Sequence, residues 1–408
     1  MLSKMLSKIF GLILLLVTAD GFAHQTFDGV EDESIVPFVP FNAITNHASP
    51  TNGEIAEILN INQATQPQKS LALLDAAVPP ANAMRLSWQP NLSIDGLSLP
   101  TPVLVVNGAR TGPVLCLTAA IHGDELNGIE IVRRILHGID PNELSGTVIG
   151  VPIVNLQGFQ RTSRYLTDRR DLNRFFPGNP HGSSASRIAY SFFNNIIKHC
   201  DLLVDLHTGS SHRTNLPQIR ADLHYPEVAA FAQAFGIPVI LHSEGTTGML
   251  RHAAVETGIP AVTLEAGKSL TLQEPAVEHG VKSIKILLNK VRMLENTHAW
   301  NDSESVYYYS AWVRVDHGGI LFSNVALGDK VSKNKVLGVV TDPITNTQSE
   351  VISPHNGRII GMAVDQVVMP GFAGFHIGIK EAEKKVSRAM LKNKVLQSNS
   401  PVMTLESE

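Results

Sequence analysis

Two histidines and a glutamate follow apolar, strand-like runs of the sequence, where they could hold a metal ion. His122 and Glu125 come just after residues 114–119, and His207 closes the run 202–206. Because α/β sheets place ligands at the carboxyl ends of their strands, we expect the three side chains to lie close together. Two His and one Glu are good zinc donors and leave a fourth position for water. The pattern therefore predicts one catalytic Zn2+ per chain, in preference to magnesium or calcium.

The prediction of a metal site depends on the second strand end, which supplies His207, as much as on the first. A histidine and a glutamate three residues apart arise easily by chance in a chain with 16 histidines, and a His after a strand is more often polar surface. The second strand end, Asp205-Leu206-His207, makes chance a weaker explanation. Asp205 shares a strand face with His207, so we expect its carboxylate to support the imidazole from behind.

Other polar residues are candidates for binding and activating a substrate. Asn173 and Arg174 stand side by side in a loop, where an amide and a guanidinium could grip a carboxylate. Arg164, in the same loop, could stabilise a developing oxyanion. Glu265 closes another apolar run, where a carboxylate could act as general base and then general acid. Taken singly, the loop could equally be a solvated surface with Asp–Arg pairs, and Glu265 a capping or salt-bridged residue.

The elements that must position these residues alternate between strand and helix over residues 86–300. Short β-branched runs separated by amphipathic stretches indicate an α/β sheet, largely parallel. Residues 304–385 contain no convincing helix, and their closely spaced turn signals predict a small all-β, barrel-like module. That module has no Lys between Lys335 and Lys380, which excludes the swinging-arm lysine of a biotinyl or lipoyl carrier.

The N-terminal residues indicate export. Residues 1–23 combine Lys4 and Lys8, the apolar run 9–17 and a small residue, Ala23, suited to cleavage. The apolar run is about half of the ~20 residues that span a bilayer, although an uncleaved anchor remains the alternative. We therefore predict a periplasmic or secreted protein with no membrane span after cleavage.

The remaining segments and the composition set limits. Residues 24–85 are interpreted as an N-terminal extension with short helices near 55–60 and 71–77, and residues 386–408 as a polar tail. A net charge of −4 offers no basic field for nucleic acid. Cys116 and Cys200 lie within or beside apolar runs, so we expect buried thiols; a bridge is allowed by the pattern but not predicted. The oligomeric state stays open.

Four segments, in this order, resemble the aspartoacylase and succinylglutamate desuccinylase family, a branch of the zinc carboxypeptidase superfamily. They are His122-Gly123-Asp124-Glu125, Arg164 with Asp171-Leu172-Asn173-Arg174, Asp205-Leu206-His207, and Glu265. The resemblance covers roughly residues 88–295, and the β module extends it to about 380. It implies a zinc-carboxypeptidase-like sheet of mixed direction, flanked by helices.

The resemblance also implies roles for the residues. The implied zinc ligands are His122, Glu125 and His207. Glu265 would activate the zinc water and pass its proton to the leaving amine, and Arg164 would polarise the scissile carbonyl. Asn173 and Arg174 would bind a substrate carboxylate. The implied reaction is hydrolysis of an amide bond, or of a related peptide or ester bond.

Three functions are consistent with these residues. The first is an exported zinc deacylase acting on N-acylated amino acids or related amines. The second is an exported zinc carboxypeptidase that trims peptides or cell-wall peptides, because a carboxylate grip suits a chain terminus as well. The third is a non-catalytic binding protein with the same fold. Arg169 and Arg170 add two positive charges to the loop and favour an anionic substrate, unless they simply face water.

Overall fold

The computed structural model describes residues 52–61, 66–90, 100–210, 212–295, 305–307, 309–364 and 367–380. The predicted signal peptide (1–23) and polar tail (386–408) lie outside these residues, as does much of the N-terminal extension. No helix in the described ranges is long and apolar enough to cross a membrane.

Strands and helices are interspersed up to residue 290 of the described chain, and strands alone follow. The strands are β1 (Leu71–Leu73), β2 (Ala76–Val78), β3 (Asn82–Trp88), β4 (Thr101–Asn107), β5 (Arg110–Ala119), β6 (Ser145–Val151), β7 (Leu202–Gly209), β8 (Arg213–Ala221), β9 (Val239–His242), β10 (Ala261–Lys268), β11 (Ser305–Tyr307), β12 (Tyr309–Arg314), β13 (Gly319–Ser323), β14 (Lys330–Val331), β15 (Val336–Thr341), β16 (Gln348–Ile352), β17 (Gly357–Ala363), β18 (Val367–Val368) and β19 (Ala373–Ile379). The α-helices are α1 (Asn52–Ile58), α2 (Asn127–Gly138), α3 (Leu156–Gln160), α4 (Ser184–Asn195), α5 (Pro226–Gln233), α6 (Leu250–Glu256) and α7 (Glu274–Lys290).

One large sheet of mixed direction carries the fold. Its centre is parallel, in the order β6-β5-β7-β10, and antiparallel neighbours flank it: β4 beside β6, and β8 beside β10. Every residue of β6 and of β7 is buried, as expected for central strands covered on both faces. The expected mixed α/β architecture is therefore confirmed, and the purely pattern-based expectation of a largely parallel sheet holds only for its centre.

The C-terminal strands extend the large sheet. Described residues between 305 and 379 form strands and no helix, and their buried side chains make a second hydrophobic cluster. Strands β16-β15-β13-β18 form a separate four-stranded sheet, whereas β12-β19-β17 join the large sheet through β8. An all-β module was expected, but its strands continue the sheet that carries the candidate site.

The N-terminal extension departs from its predicted helices in one place. Helix α1 matches the stretch near 55–60, but residues 71–78 form the hairpin β1-β2, so the helix expected at 71–77 is wrong. Leu74 and Asp75 at its tip both have positive φ, the conformation of a two-residue hairpin turn. Strand β3 pairs with β4 at the sheet edge, so the sheet begins before residue 86.

The two cysteines form a disulfide, so the expectation of free buried thiols is wrong. Cys116 lies in β5 and Cys200 just before β7, with their Cα atoms 5.7 Å apart. They are 84 residues apart in sequence, and the parallel pairing of β5 with β7, with Leu115 opposite Leu202, brings them together. The bridge joins the two strands that lead to His122 and His207.

Breaking this bridge is expected to destabilise the fold substantially. For a closed loop of this length, the chain-entropy model gives a loss of about 4.5 kcal/mol. We expect Cys116→Ala, Cys200→Ala and the double variant to lower the free energy of unfolding by similar amounts, measured by denaturant titration. Reduced wild-type protein is the control, since it loses the bridge but keeps both sulfur atoms. A reduced protein as stable as the oxidised one would contradict the expectation.

Candidate metal centre

The three predicted metal ligands lie together at the carboxyl ends of β5 and β7. His122 and Glu125 occupy the turn after β5, closed by a hydrogen bond from the Glu125 amide to the His122 carbonyl, and His207 lies in β7. All three are buried. Gly123 allows this turn to press against α3, because a Cβ there would lie 2.1 Å from the Gly158 carbonyl carbon.

The donor atoms of these residues converge on one point. Glu125 Oε1 lies 2.8 Å from His122 Nδ1, and Glu125 Oε2 lies 2.9 Å from His207 Nδ1. One donor atom from each residue lies within 4.8 Å of the others. Burial alone would raise the pKa of Glu125, but the two imidazoles hold it well below its ordinary value, so the carboxylate is ionised. Two nitrogens and one carboxylate oxygen fit a catalytic zinc ion.

Two further carboxylates accept hydrogen bonds from the outer nitrogens, Nε2, of the two imidazoles. Asp205 Oδ2 lies 2.8 Å from His207 Nε2, and Asp171 Oδ1 lies 3.1 Å from His122 Nε2. Ionised carboxylates can only accept, so each Nε2 donates outward, while each Nδ1 faces an oxygen of Glu125. A metal held at Nδ1 would take the place of the proton that Nδ1 shares with Glu125. Asp205 Oδ1 also accepts from Thr118 Oγ1 at 2.7 Å, which fixes its orientation. The fit to a metal thus extends beyond the ligands.

Neutralising Asp205, whose carboxylate accepts from His207 Nε2, is expected to weaken zinc binding without disturbing the fold. Asp205→Asn keeps the shape of the side chain but removes the charge that supports the imidazole. We expect the zinc dissociation constant to rise about 10–100-fold, measured by competition with a chromophoric chelator. Asp168→Asn is the matched control, because Asp168 pairs with Arg170 at the surface. An unchanged dissociation constant in Asp205→Asn would show that the carboxylate does not support the ligand.

Arg164 lies against the same centre. Its Nη2 donates to Asp171 Oδ2 at 2.8 Å, and its Nη1 lies 3.5 Å from Glu125 Oε1 and 3.2 Å from His122 Nδ1. Burial opposes its charge, but the Asp171 and Glu125 carboxylates raise its pKa further above the ordinary value. Arg164 is therefore a fixed positive charge beside the three predicted metal ligands, as a role at a developing oxyanion requires.

Asn173 and Arg174 connect to the centre through Asp171. They belong to a short 3-10 turn, Leu172–Arg174. Asp171 caps this turn, because its Oδ1 accepts a hydrogen bond from the Asn173 amide at 2.9 Å. Asn173 Oδ1 accepts from the Leu250 amide at 2.8 Å, so the side-chain NH2 is its remaining polar group for a ligand. Arg174 Nη1 donates to the Asn173 carbonyl oxygen at 2.9 Å. Their role in binding a carboxylate stays a prediction.

Glu265 lies on the neighbouring strand at the level of the predicted metal ligands. In the β10–β7 pairing, Glu265 stands opposite His207. Its Oε2 accepts from Asn215 Nδ2 at 3.0 Å, and its Oε1 lies 3.5 Å from Arg220 Nε. Burial raises the pKa of Glu265, although Arg220 and His207 oppose the shift. A carboxyl group with a raised pKa suits proton transfer near neutral pH.

Several residues of this centre had no assigned role from the sequence. Asp171 belongs to the loop that carries Arg164, Asn173 and Arg174, and its place in that motif is the sequence feature that could have indicated its role. Thr118, Asn215 and Arg220 carried none, because they reach the centre across strand pairings rather than along the chain.

A second group of side chains has metal-ligand atoms close together but fits a metal poorly. It consists of Asp222, His224 and His242. His242 Nδ1 accepts from the Leu223 amide at 3.2 Å, so its proton sits on Nε2 and neither nitrogen is available to a cation without losing that bond. Desolvation, with nearby positive charge from His224, lowers the pKa of His242 to about 4, which keeps the ring neutral.

Comparison with known proteins places the chain in a family. Residues 111–290 match the model of the succinylglutamate desuccinylase/aspartoacylase catalytic domain. The N-alpha-acetyl-L-2,4-diaminobutyric acid deacetylase of Halomonas elongata is 30% identical over 255 residues, 59% of this chain and 74% of that protein. The succinylglutamate desuccinylase of Ectopseudomonas mendocina is 32% identical over 135 residues, 31% of this chain and 37% of that protein.

Solved structures share the fold. A succinylglutamate desuccinylase from Silicibacter superposes with a TM-score of 0.67 at 24% identity, covering 78% of this chain and 99% of the other. The product-bound ectoine utilization protein EutE (DoeB) of Ruegeria pomeroyi gives a TM-score of 0.67 at 24% identity, covering 78% of this chain and 100% of the other. From the domain match and the extent of the deacetylase similarity, the chain belongs to the succinylglutamate desuccinylase/aspartoacylase family.

Proposed function

We propose that this protein is an exported, zinc-dependent deacylase that hydrolyses the amide bond of N-acylated amino acids or related amines. The observation that carries the proposal is the convergence of His122, Glu125 and His207, with Glu265 opposite His207 on the next strand. A metal-ligand set with a buried carboxyl group beside it is the arrangement that zinc amidohydrolysis needs.

Each residue of the centre has a distinct task in the proposed reaction. His122, Glu125 and His207 hold the zinc ion, which when bound polarises the scissile carbonyl and makes a bound water more acidic. Glu265 accepts a proton from the attacking water at a carboxylate oxygen and delivers it to the leaving amine nitrogen. Arg164 donates to the carbonyl oxygen as negative charge develops there.

The substrate class follows from the positive groups around the centre and from the relatives. Arg174, and the amide of Asn173, bind a carboxylate of the substrate, while Arg164 is committed to Asp171 and the reacting carbonyl. The named relatives are a deacetylase of an N-acetylated diamino acid and a desuccinylase of succinylglutamate, so both remove an acyl group. A small acylated amino acid with a free carboxylate is the best match to these groups.

Export is part of the proposal. Its support is the signal-like sequence of residues 1–23 and the disulfide between Cys116 and Cys200, a bond that persists in oxidising compartments such as the periplasm or the cell exterior.

The proposed function is tested by measuring metal and activity on one preparation. The mature protein is purified, its zinc is quantified, and amine release is followed from N-acetyl and N-succinyl amino acids, N-acetyl diamino acids and short peptides. We expect one zinc per chain and release from at least one N-acyl amino acid. Loss of C-terminal residues from peptides, with no deacylation, would instead identify a carboxypeptidase. Absence of zinc after reconstitution would overturn the proposal, and zinc without any hydrolysis would leave a binding protein.

A further inference from the structure

The carboxylate of Glu265 is held by a side chain from β8. Asn215 Nδ2 donates to Glu265 Oε2 at 3.0 Å, and both residues are at least nine-tenths buried. Strand β8 lies between β10 and β17, so Asn215 touches the candidate base on one side and a C-terminal strand on the other. Neither the metal-ligand set nor the substrate groups described above account for this contact.

The surroundings of Asn215 fix which way its amide points. Its Nδ2 faces Glu265, to which it donates, so Oδ1 faces away. Oδ1 is buried and has no hydrogen-bond partner among the described residues. It lies over Gly361 of β17, the residue opposite Asn215 in the β17–β8 pairing.

Gly361 provides the space that the Asn215 side chain occupies. A Cβ at position 361 would lie 2.7 Å from Asn215 Oδ1 and 3.2 Å from His376 Cβ. The atom nearest that Cβ is the end of a side chain, whereas the backbone oxygen of Thr214 is 3.7 Å away. An alanine there would therefore displace the amide of Asn215 before it displaced a strand.

We propose that Asn215 is a positioning residue for Glu265, and that Gly361 of the C-terminal strand β17 is required to seat it. The amide holds Oε2 and fixes the plane of the carboxylate, so that Oε1, which lies 3.5 Å from Arg220 Nε, is the oxygen that takes the proton of the attacking water. The C-terminal strands thereby take part in catalysis without contacting the substrate. This inference rests on the proposed role of Glu265 as general base.

The test compares Asn215→Ala, Gly361→Ala and the double variant with wild-type enzyme on its best N-acyl amino acid. A hydrogen bond to a charged group is lost in each, so we expect kcat to fall about 10–100-fold with KM nearly unchanged. Because both changes remove the same bond, the double variant should be no slower than Asn215→Ala, rather than showing the product of the two losses. Zinc content and melting temperature should stay close to wild type.

Gly374→Ala is the matched control from the same C-terminal strands. A Cβ at position 374 would have no neighbour closer than 3.4 Å, which is ordinary van der Waals contact, so we expect wild-type kcat. Unchanged kcat in Asn215→Ala, while Glu265→Gln is inactive, would overturn the inference and leave the proposed function intact. Full activity of Glu265→Gln would instead refute the role of Glu265 as general base, and the inference with it, while absence of hydrolysis by the wild-type enzyme would refute the proposed function. If the two falls in kcat multiplied in the double variant and its melting temperature were lowered, both residues would have a purely structural role, and the inference would fail.

Discussion

Glu265→Gln is expected to lower kcat by about 10²–10⁴-fold while the protein keeps one zinc per chain. Glutamine has nearly the same shape as glutamate, and its amide oxygen can still face the Asn215 donor. It cannot take up a proton from water or return it to an amine at ordinary pH. The metal ligands lie on other residues, so zinc binding does not depend on this carboxylate. Steady-state kinetics and metal analysis of the same preparation measure both quantities.

Glu256→Gln provides the matched control for this substitution. Glu256 ends α6 on the protein surface and pairs with His252, away from the centre. The same chemical change there should leave kcat, KM and zinc content at wild-type values. If Glu265→Gln retained activity within about tenfold of wild type, below the usual contribution of acid–base catalysis, another group would have to move the proton.

The position of the metal-ligand set was predictable because its signal is local. His122 and His207 each end a short apolar run, and such runs form buried strands whose ends meet in an α/β sheet. The spacing of His122 and Glu125 needs only one turn of chain. The structure brings the three residues together as expected, and their binding of zinc stays a prediction.

The supporting residues were not predictable in the same way, because they depend on strand order. Asn215 reaches Glu265 only since β8 runs antiparallel beside β10, with a register shift between Glu265 and Gly267. No pattern along the chain specifies that pairing. The disulfide has the same origin, since Cys116 and Cys200 become neighbours through the β5–β7 pairing.

The hairpin at residues 71–78 shows a different limit. Its sequence, rich in Leu and Ala, has good intrinsic helix propensity, and it lacks the Asn-Gly or Asp-Gly pair that usually marks a two-residue turn. Burial of Leu73 and Val78 in the main core outweighs that propensity. The C-terminal strands were recognised as all-β from their turns, but their continuity with the catalytic sheet again required the pairing of β17 with β8.

His122→Ala is expected to abolish zinc binding and activity together. Removing one of the three proposed ligands should weaken zinc binding more than neutralising Asp205, which only supports a ligand. We therefore expect the zinc affinity to fall by more than about 100-fold. It also leaves Asp171 and Glu125 without the imidazole that they share, although Arg164 still contacts both. That contact should keep the fold intact, which circular dichroism can verify. Zinc is quantified after dialysis against a weak chelator, and activity is measured with and without added zinc.

His224→Ala is the control that distinguishes the two groups of potential ligands. It removes the same side chain from the cluster of Asp222, His224 and His242, where the hydrogen bond at His242 Nδ1 argues against a cation. Zinc content and activity should therefore stay at wild-type values. The reverse result, with zinc retained in His122→Ala and lost in His224→Ala, would move the metal to the second cluster. Glu265, which faces His207 and not that cluster, would then have no metal-bound water to activate, and the proposed mechanism would fail with it.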